Sequence, residues 1–193
     1  MILPDPLRRK SRLCDQAAVR LVSIMLVTSR EGIQVNIRPA ISDDADFLKT
    51  MLYESARWNP DWPREPIDEV LDEPVLRRYH EGWGRPGDGG VIAEFDGMPV
   101  GAVWYRQFTA EEPAYGFVDE KTPVLSVAVQ PLHRRKGVGG TLLRAAMVQA
   151  REEGFQTLSL SVAVHNRSRM MYQRVGFEKV GEEGDSWTML VNL

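Results

Sequence analysis

The stretch PLHRRKGVGGTLL, residues 131–143, decides how the chain is read. His133, Arg134, Arg135 and Lys136 stand directly before Gly137, Gly139 and Gly140, and an apolar pattern of helical period follows. The segment before it, VLSVAV at 124–129, is almost wholly apolar and reads as a short buried strand. Strand, basic glycine turn, then helix is a layout suited to an anion. The first amides of a helix lack intrahelical acceptors and carry partial positive charge. Glycine lets a ligand come close to that backbone. Cations at a helix start oppose the dipole, so a bound anion would compensate them. The competing reading is a solvated basic turn whose glycines serve geometry alone.

Two familiar phosphate motifs are excluded. A P-loop places its lysine after the glycines, whereas Lys136 precedes them. The dinucleotide fingerprint requires glycine where Leu142 stands.

Outward from the motif, the rest of the chain alternates strands and helices. IQVNIRPA at 33–40 alternates like a half-buried strand, and Ser42 reads as the N-cap of a helix running to about Arg57. The prolines of WNPDWPREP, 58–66, end regular structure there, and short helices are expected near 67–72 and 75–81. Two strands at 91–95 and 99–108 flank Asp96-Gly97, a strong hairpin signal. The helix opened by the glycine turn should end at Gly154, followed by a strand at 157–164, a short helix to Gly176 and two final strands.

Composition bounds the function. The chain has 193 residues, 43% hydrophobic and 26% charged, which fits one globular domain with a real core. A net charge of -3 argues against general nucleic-acid binding, and no aromatic platform accompanies the HRRK patch. Cys14 is the only cysteine, and His80, His133 and His165 show no ligand spacing, so no metal is expected. A reducing cytoplasm fits best. Residues 1–32 are rich in arginine and contain an apolar run at 21–27 that is too short for the ~20 residues of a membrane span. That run imitates a secretory signal, but Arg20 interrupts it. The favoured reading is a poorly ordered extension, or a true start at Met25, ahead of a domain at 33–193.

Arg134-Arg135-Lys136-Gly137-Val138-Gly139 fits the pattern Arg/Gln-x-x-Gly-x-Gly/Ala. It resembles the pyrophosphate loop of the GCN5-related N-acetyltransferase (GNAT) superfamily. Asn166, Tyr172, Gly176 and Phe177 follow the next strand as they do in that superfamily. The resemblance covers about 33–193. It implies an α/β fold with a single mixed central sheet of six to seven strands, flanked by about four helices, its fourth and fifth strands (124–129 and 157–164) splayed. It also implies an enzyme that moves an acetyl group from acetyl-CoA to a primary amine by direct attack in a ternary complex. The acceptor would be a small molecule or a protein amine, and a homodimer is a candidate assembly. Neither nucleic acid nor membrane is an expected partner.

By the same resemblance, Arg134, Arg135, Lys136, Gly137, Val138, Gly139 and Gly140 would cradle the CoA pyrophosphate. Main-chain groups of Val127 and Val129 would pair with the pantetheine arm, and Asn166 would bond it from the other side or cap its own helix. Tyr172 takes the place of the general acid, against the alternative of a packed aromatic. The base is open. Relatives carry a carboxylate in a PELS-like pattern where this chain has Val124. Ser126, on the same strand face, could position a water, and Glu120, Asp119 and Glu94 are candidate bases. Nothing in the spacing brings His80 or His165 to the thioester. Trp58, Trp62, Trp83, Trp104, Tyr105 and Tyr115 are candidates for an acceptor pocket. The missing carboxylate keeps a second function open, a non-catalytic acetyl-CoA-binding sensor or regulatory module.

Overall fold

The computed structural model describes residues 25–28 and 34–193. Strand β3 (Gly89–Phe95) turns into β4 (Met98–Arg106) through Asp96 and Gly97, whose φ angles are 50° and 75°. Two left-handed residues in succession twist the chain as paired strands require, which is why Asp-Gly marks the hairpin. β2 (Gln34–Pro39) pairs antiparallel with β3, and β5 (Val124–Val129) with β4. β6 (Thr157–Ala163) lies parallel to β5, and β8 (Ser186–Asn192) and β7 (Glu178–Glu183) complete that side. The opposite edge is β1 (Met25–Thr28), paired with β2, and the strand order is β1-β2-β3-β4-β5-β6-β8-β7.

The mixed, helix-flanked sheet is the one expected, with β1 at its edge as an eighth strand beyond the six to seven; β1 lies at Met25–Thr28, ahead of residue 33. The remainder of 1–32 lies outside the described residues, as does Cys14.

Five α-helices flank the sheet among the described residues, one more than expected: α1 (Ala45–Ala56), α2 (Ile67–Leu71), α3 (Pro74–Arg77), α4 (Val138–Glu152) and α5 (Arg169–Arg174). Ser42 does not cap α1. A 3-10 turn at Ser42–Asp44 comes first, and Asp44 reaches back to accept the Ile41 N–H at 2.8 Å. The same carboxylate takes a two-point ion pair from Arg38, at 2.7 and 2.8 Å. Burial pushes the Asp44 carboxyl up, but Arg38 and the Ile41 amide outweigh it and hold the group below the ordinary aspartate value.

Alternate residues of each strand feed opposite faces. On one face Leu142, Leu143, Ala146 and Ala150 of α4 share a core with Val103, Leu125, Leu158 and Leu160. On the other, Leu48, Met51 and Leu52 of α1 pack with Val70 and Leu71 against Ala102, Trp104, Val124 and Ala128. Each fully buried leucine contributes about 2 kcal/mol relative to exposure. Arg106, at the end of β4, is also fully buried. It forms a two-point pair with Asp88 at 2.7 and 2.6 Å and donates to the carbonyls of Arg78, Glu81 and Gly82. One guanidinium thereby pins the segment that follows α3 to the sheet.

Candidate active site

β5 and β6 share a single registered pair, Val124 with Ser159, where the Ser159 N–H donates to the Pro123 carbonyl at 3.0 Å. Beyond that point β5 stays with β4 and β6 stays with β8 along its whole length. An opening results, as the resemblance implied. The Gln130 N–H continues the β4 ladder by donating to Val100 at 2.8 Å. Ladder bonding alternates along an antiparallel strand, so Val127 and Val129 turn their main-chain groups toward the opening.

At the end of β5 a 3-10 turn, Pro131–His133, leads into the basic loop. Arg135 and Gly137 both take left-handed backbone, with φ of 63° and 84°. Glycine adopts this freely, whereas for arginine it is strained by about 1–2 kcal/mol. Left-handed residues of this kind aim successive N–H groups into one concavity. Among the described residues, the amides of 135–140 find no acceptor in the protein. A row of free donors at the start of a fifteen-residue helix is an arrangement that could cradle an anion.

The side chains divide differently from the expectation. Arg134, expected at the pyrophosphate, has most of its guanidinium engaged within the protein. Its Nε donates to the Val129 carbonyl at 2.8 Å, and its Nη2 to Glu54 Oε2 at 2.5 Å. The Val129 carbonyl is therefore taken, leaving that residue's N–H for the opening. Arg135 and Lys136 form no ion pair among the described residues, so both remain free to meet an anion. Val138 is buried in the α4 core and offers only its amide. Gly139 brings α4 against α5, since a Cβ there would sit 3.2 Å from Met171 Sδ.

Asn166 Oδ1 accepts the Ser168 N–H at 2.9 Å, which closes the turn before α5; the N-cap position of that helix is Ser168. Its Nδ2 makes no contact among the described residues and remains a donor. Tyr172, on α5, is buried edge-on to Phe177 with ring centroids 6.1 Å apart. Burial pushes its phenol well above the ordinary tyrosine range, so it stays protonated at any physiological pH. No described residue bonds its hydroxyl.

Among the described residues, each carboxylate expected as a candidate base is engaged by another group. Val124 is 1% exposed, and Ser126, two residues on, shares its α1-side face. Glu94 is held by Asn36 and Arg38, at 3.2 and 2.6 Å. Asp119 accepts the amides of Lys121 and Thr122 in its own turn. Glu120 is exposed and braces the loop before β5 by accepting the Ala110 amide. His80 lies beyond α3, its pKa lowered by burial and then by Lys49, and His165 is exposed in the turn after β6.

Two of the six candidate pocket aromatics are core instead. Trp104 and Tyr105 are 1% and 0% exposed, on opposite faces of β4. Trp58 and Trp62 form an edge-to-face pair at 5.3 Å in the loop after α1, Trp83 donates to the Ile41 carbonyl, and Tyr115 is exposed in the loop before β5. Next to Tyr115, Gly116 has φ of 87°, and a Cβ there would lie 2.5 Å from the Leu160 carbonyl carbon. That loop therefore rests directly on the backbone of β6. Sequence reasoning missed Glu54 and Ser159. The Ser159 hydroxyl is fully buried at the vertex of the opening and has no hydrogen-bond partner among the described residues.

Among the described residues no cluster of His, Cys, Asp or Glu is placed to hold a metal ion, and no helix is long and apolar enough to cross a membrane. A model of the acetyltransferase (GNAT) family matches residues 49–177, well over half of the chain. The chain belongs to the GNAT family. The match runs from α1 through the cradle to Phe177, so it includes every element of the opening.

Among GNAT relatives, a ribosomal protein bS18-alanine N-acetyltransferase of Haemophilus influenzae is 36% identical over 63 residues, 33% of this chain and 42% of the relative. A mycothiol acetyltransferase of Rhodococcus erythropolis is 26% identical over 153 residues, 77% of this chain and 48% of the relative. The chain thus spans less than half the length of these curated relatives. In fold it is similar to the PaiA N-acetyltransferase of Thermoplasma acidophilum, solved in complex with coenzyme A. That likeness has a TM-score of 0.62 and 18% identity, and covers 82% of this chain and 99% of the other.

Proposed function

We propose that this GNAT protein transfers an acetyl group from acetyl-CoA to a primary amine, by direct attack within a ternary complex. The observation that carries the proposal is the row of unpaired amides at 135–140 beside the opening between β5 and β6. Those amides, with Arg135 and Lys136, would hold the pyrophosphate, and Gly139 and Gly140 keep the approach free of side chains. The pantetheine arm would lie along β5, bonded to Val127 and to the Val129 N–H, with Asn166 Nδ2 donating from across the opening. The PaiA protein's complex with coenzyme A supports this choice of donor.

In the reaction the amine lone pair forms a bond to the thioester carbonyl carbon, and the oxyanion is met by a β5 amide, that of Val127 or Val129. The carbon–sulfur bond then breaks, and the leaving sulfur takes a proton from Tyr172. Burial keeps this phenol protonated, so a proton is available to give, and it also makes the phenolate left behind costly, so that phenolate must regain a proton promptly. The amine must arrive neutral, and after the carbon–nitrogen bond forms its nitrogen gives up one proton to water, while the Tyr172 phenolate regains one from water; the candidate carboxylates Glu94, Asp119 and Glu120 are engaged by other groups. Ser126, half-buried on the α1 side of β5, is the candidate to position such a water. The relative named for acetylating an alanine of ribosomal protein bS18 supports a protein amine as one acceptor class.

The engaged carboxylates and buried Val124 favour one alternative, an acetyl-CoA-binding module without turnover. Calorimetric titration with acetyl-CoA tests the shared part of both readings. One-to-one binding is expected, and absence of binding would overturn both.

A further inference from the structure

Glu54 is a buried carboxylate in the last turn of α1, and no step of the proposed reaction uses it. Its two oxygens are divided between two arginines from separate parts of the chain. Oε1 accepts Arg64 Nη2, and Oε2 accepts Arg134 Nη2 at 2.5 Å. Arg64 belongs to the loop between α1 and α2 that carries Trp58 and Trp62. It also lies over the Tyr53 ring, 4.8 Å from its centroid, and donates to the Arg57 carbonyl. Arg134 opens the anion cradle and closes onto the Val129 carbonyl.

A continuous run of charge-assisted contacts therefore joins the loop on the α1 side to the cradle and to the strand edge at the opening. One carboxylate neutralises only one of the two guanidinium groups. Removing it would leave two like charges facing one buried point, a costly arrangement. Arg64, at 44% side-chain exposure, is the partner free to swing away, while Arg134 keeps its bond to Val129.

We infer that Glu54 is a positioning residue that couples the 57–66 loop to the acetyl-CoA cradle, so that filling the cradle orders the acceptor side. This rests on the donor assignment proposed above. An anion on the 135–140 amides restrains the backbone that Arg134 opens and so favours the geometry in which Arg134 meets Glu54, and Glu54 holds Arg64 and its loop. Coupling is reciprocal, so an ordered loop also tightens donor binding by the same factor.

The loop carries its own reporter. Trypsin can cut after Arg57 and after Arg64, since Trp58 and Glu65 follow them. Limited trypsinolysis of the full chain with and without CoA, followed by mass spectrometry, measures how far CoA protects the Arg57–Trp58 bond. We expect CoA to slow that cut at least about fivefold in the wild type. Protection should fall to less than twofold in Glu54→Gln and in Arg64→Gln. The Arg64→Gln variant changes a half-exposed residue and leaves the Glu54–Arg134 pair intact, so it keeps the test valid where Glu54→Gln folds poorly. In steady state, Arg64→Gln should raise the acceptor KM with little change in kcat, which a purely structural role would not do. Equal protection by CoA in wild type and Arg64→Gln would overturn the coupling, as would a wild type that binds CoA by calorimetry without any protection. A wild type that fails to bind CoA would overturn the donor assignment and this inference with it.

Discussion

Tyr172→Phe separates an acid from a packed aromatic. The substitution removes one hydroxyl and keeps the ring that packs on Phe177. Because no described residue bonds that hydroxyl, its loss should change the unfolding free energy by less than about 1 kcal/mol. If Tyr172 protonates the leaving sulfur, turnover should fall by about 10²–10⁴-fold, which corresponds to about 3–5 kcal/mol of barrier at 1.36 kcal/mol per tenfold. The decisive assay is single-turnover thiol release with saturating acetyl-CoA and the best amine from a broad panel, paired with CoA calorimetry. Expected are a large loss in rate and a CoA Kd within about threefold of wild type. A rate within threefold of wild type would refute the acid role. A tenfold loss of CoA affinity with an equal loss in rate would make Tyr172 a wall of the binding site instead.

Gly139→Asp places a carboxylate in the cradle and a Cβ against Met171. CoA affinity should fall at least about tenfold by calorimetry, while Gly139→Ala should lose far less. Gly116→Ala forces a side chain into left-handed backbone and against β6. Urea unfolding should show a loss of at least about 1–2 kcal/mol from the backbone conformation alone, and an unchanged midpoint would contradict the close approach. Burial raises the phenol pKa of both Tyr79 and Tyr172. The unfolded chain releases those protons near pH 10 while the folded chain keeps them. Stability should therefore hold below about pH 10 and fall above it, by up to about 1.4 kcal/mol per pH unit for each tyrosine. Tyr172→Phe should remove its share of that slope in unfolding series between pH 9 and 11.

Much of this architecture can be read from local pattern. Asp96-Gly97 specifies its turn through backbone conformation, and the spacing of Leu142, Leu143, Ala146 and Ala150 specifies which face of α4 is buried. The cradle is legible because glycine and charge sit together in a few residues. Other features depend on pairs far apart in sequence, which no local pattern encodes. Glu54 meets Arg134 across 80 positions, and this contact makes scaffold of a side chain expected at the pyrophosphate. Trp104 and Tyr105 read equally well as pocket or core, because a central strand covered on both faces buries adjacent aromatics in opposite directions. β1 was missed for a related reason. Three apolar residues and a threonine after an arginine-rich stretch carry no alternation, and only pairing with β2 makes them a strand. Ser42 failed as a cap because the 3-10 turn at Ser42–Asp44 moves the start of α1 to Ala45 and puts Asp44, tied to Arg38 and the Ile41 amide, at the N-cap position.

The central claim is chemical, that the cradle and opening present an acetyl thioester to an amine. Thiol release from acetyl-CoA, followed across a panel of small amines and peptides with free amino termini, tests it most directly. The account predicts amine-dependent release, one thiol for each N-acetyl product found by mass spectrometry, abolished by Gly139→Asp. Tight acetyl-CoA binding with no amine-dependent release across that panel would contradict it.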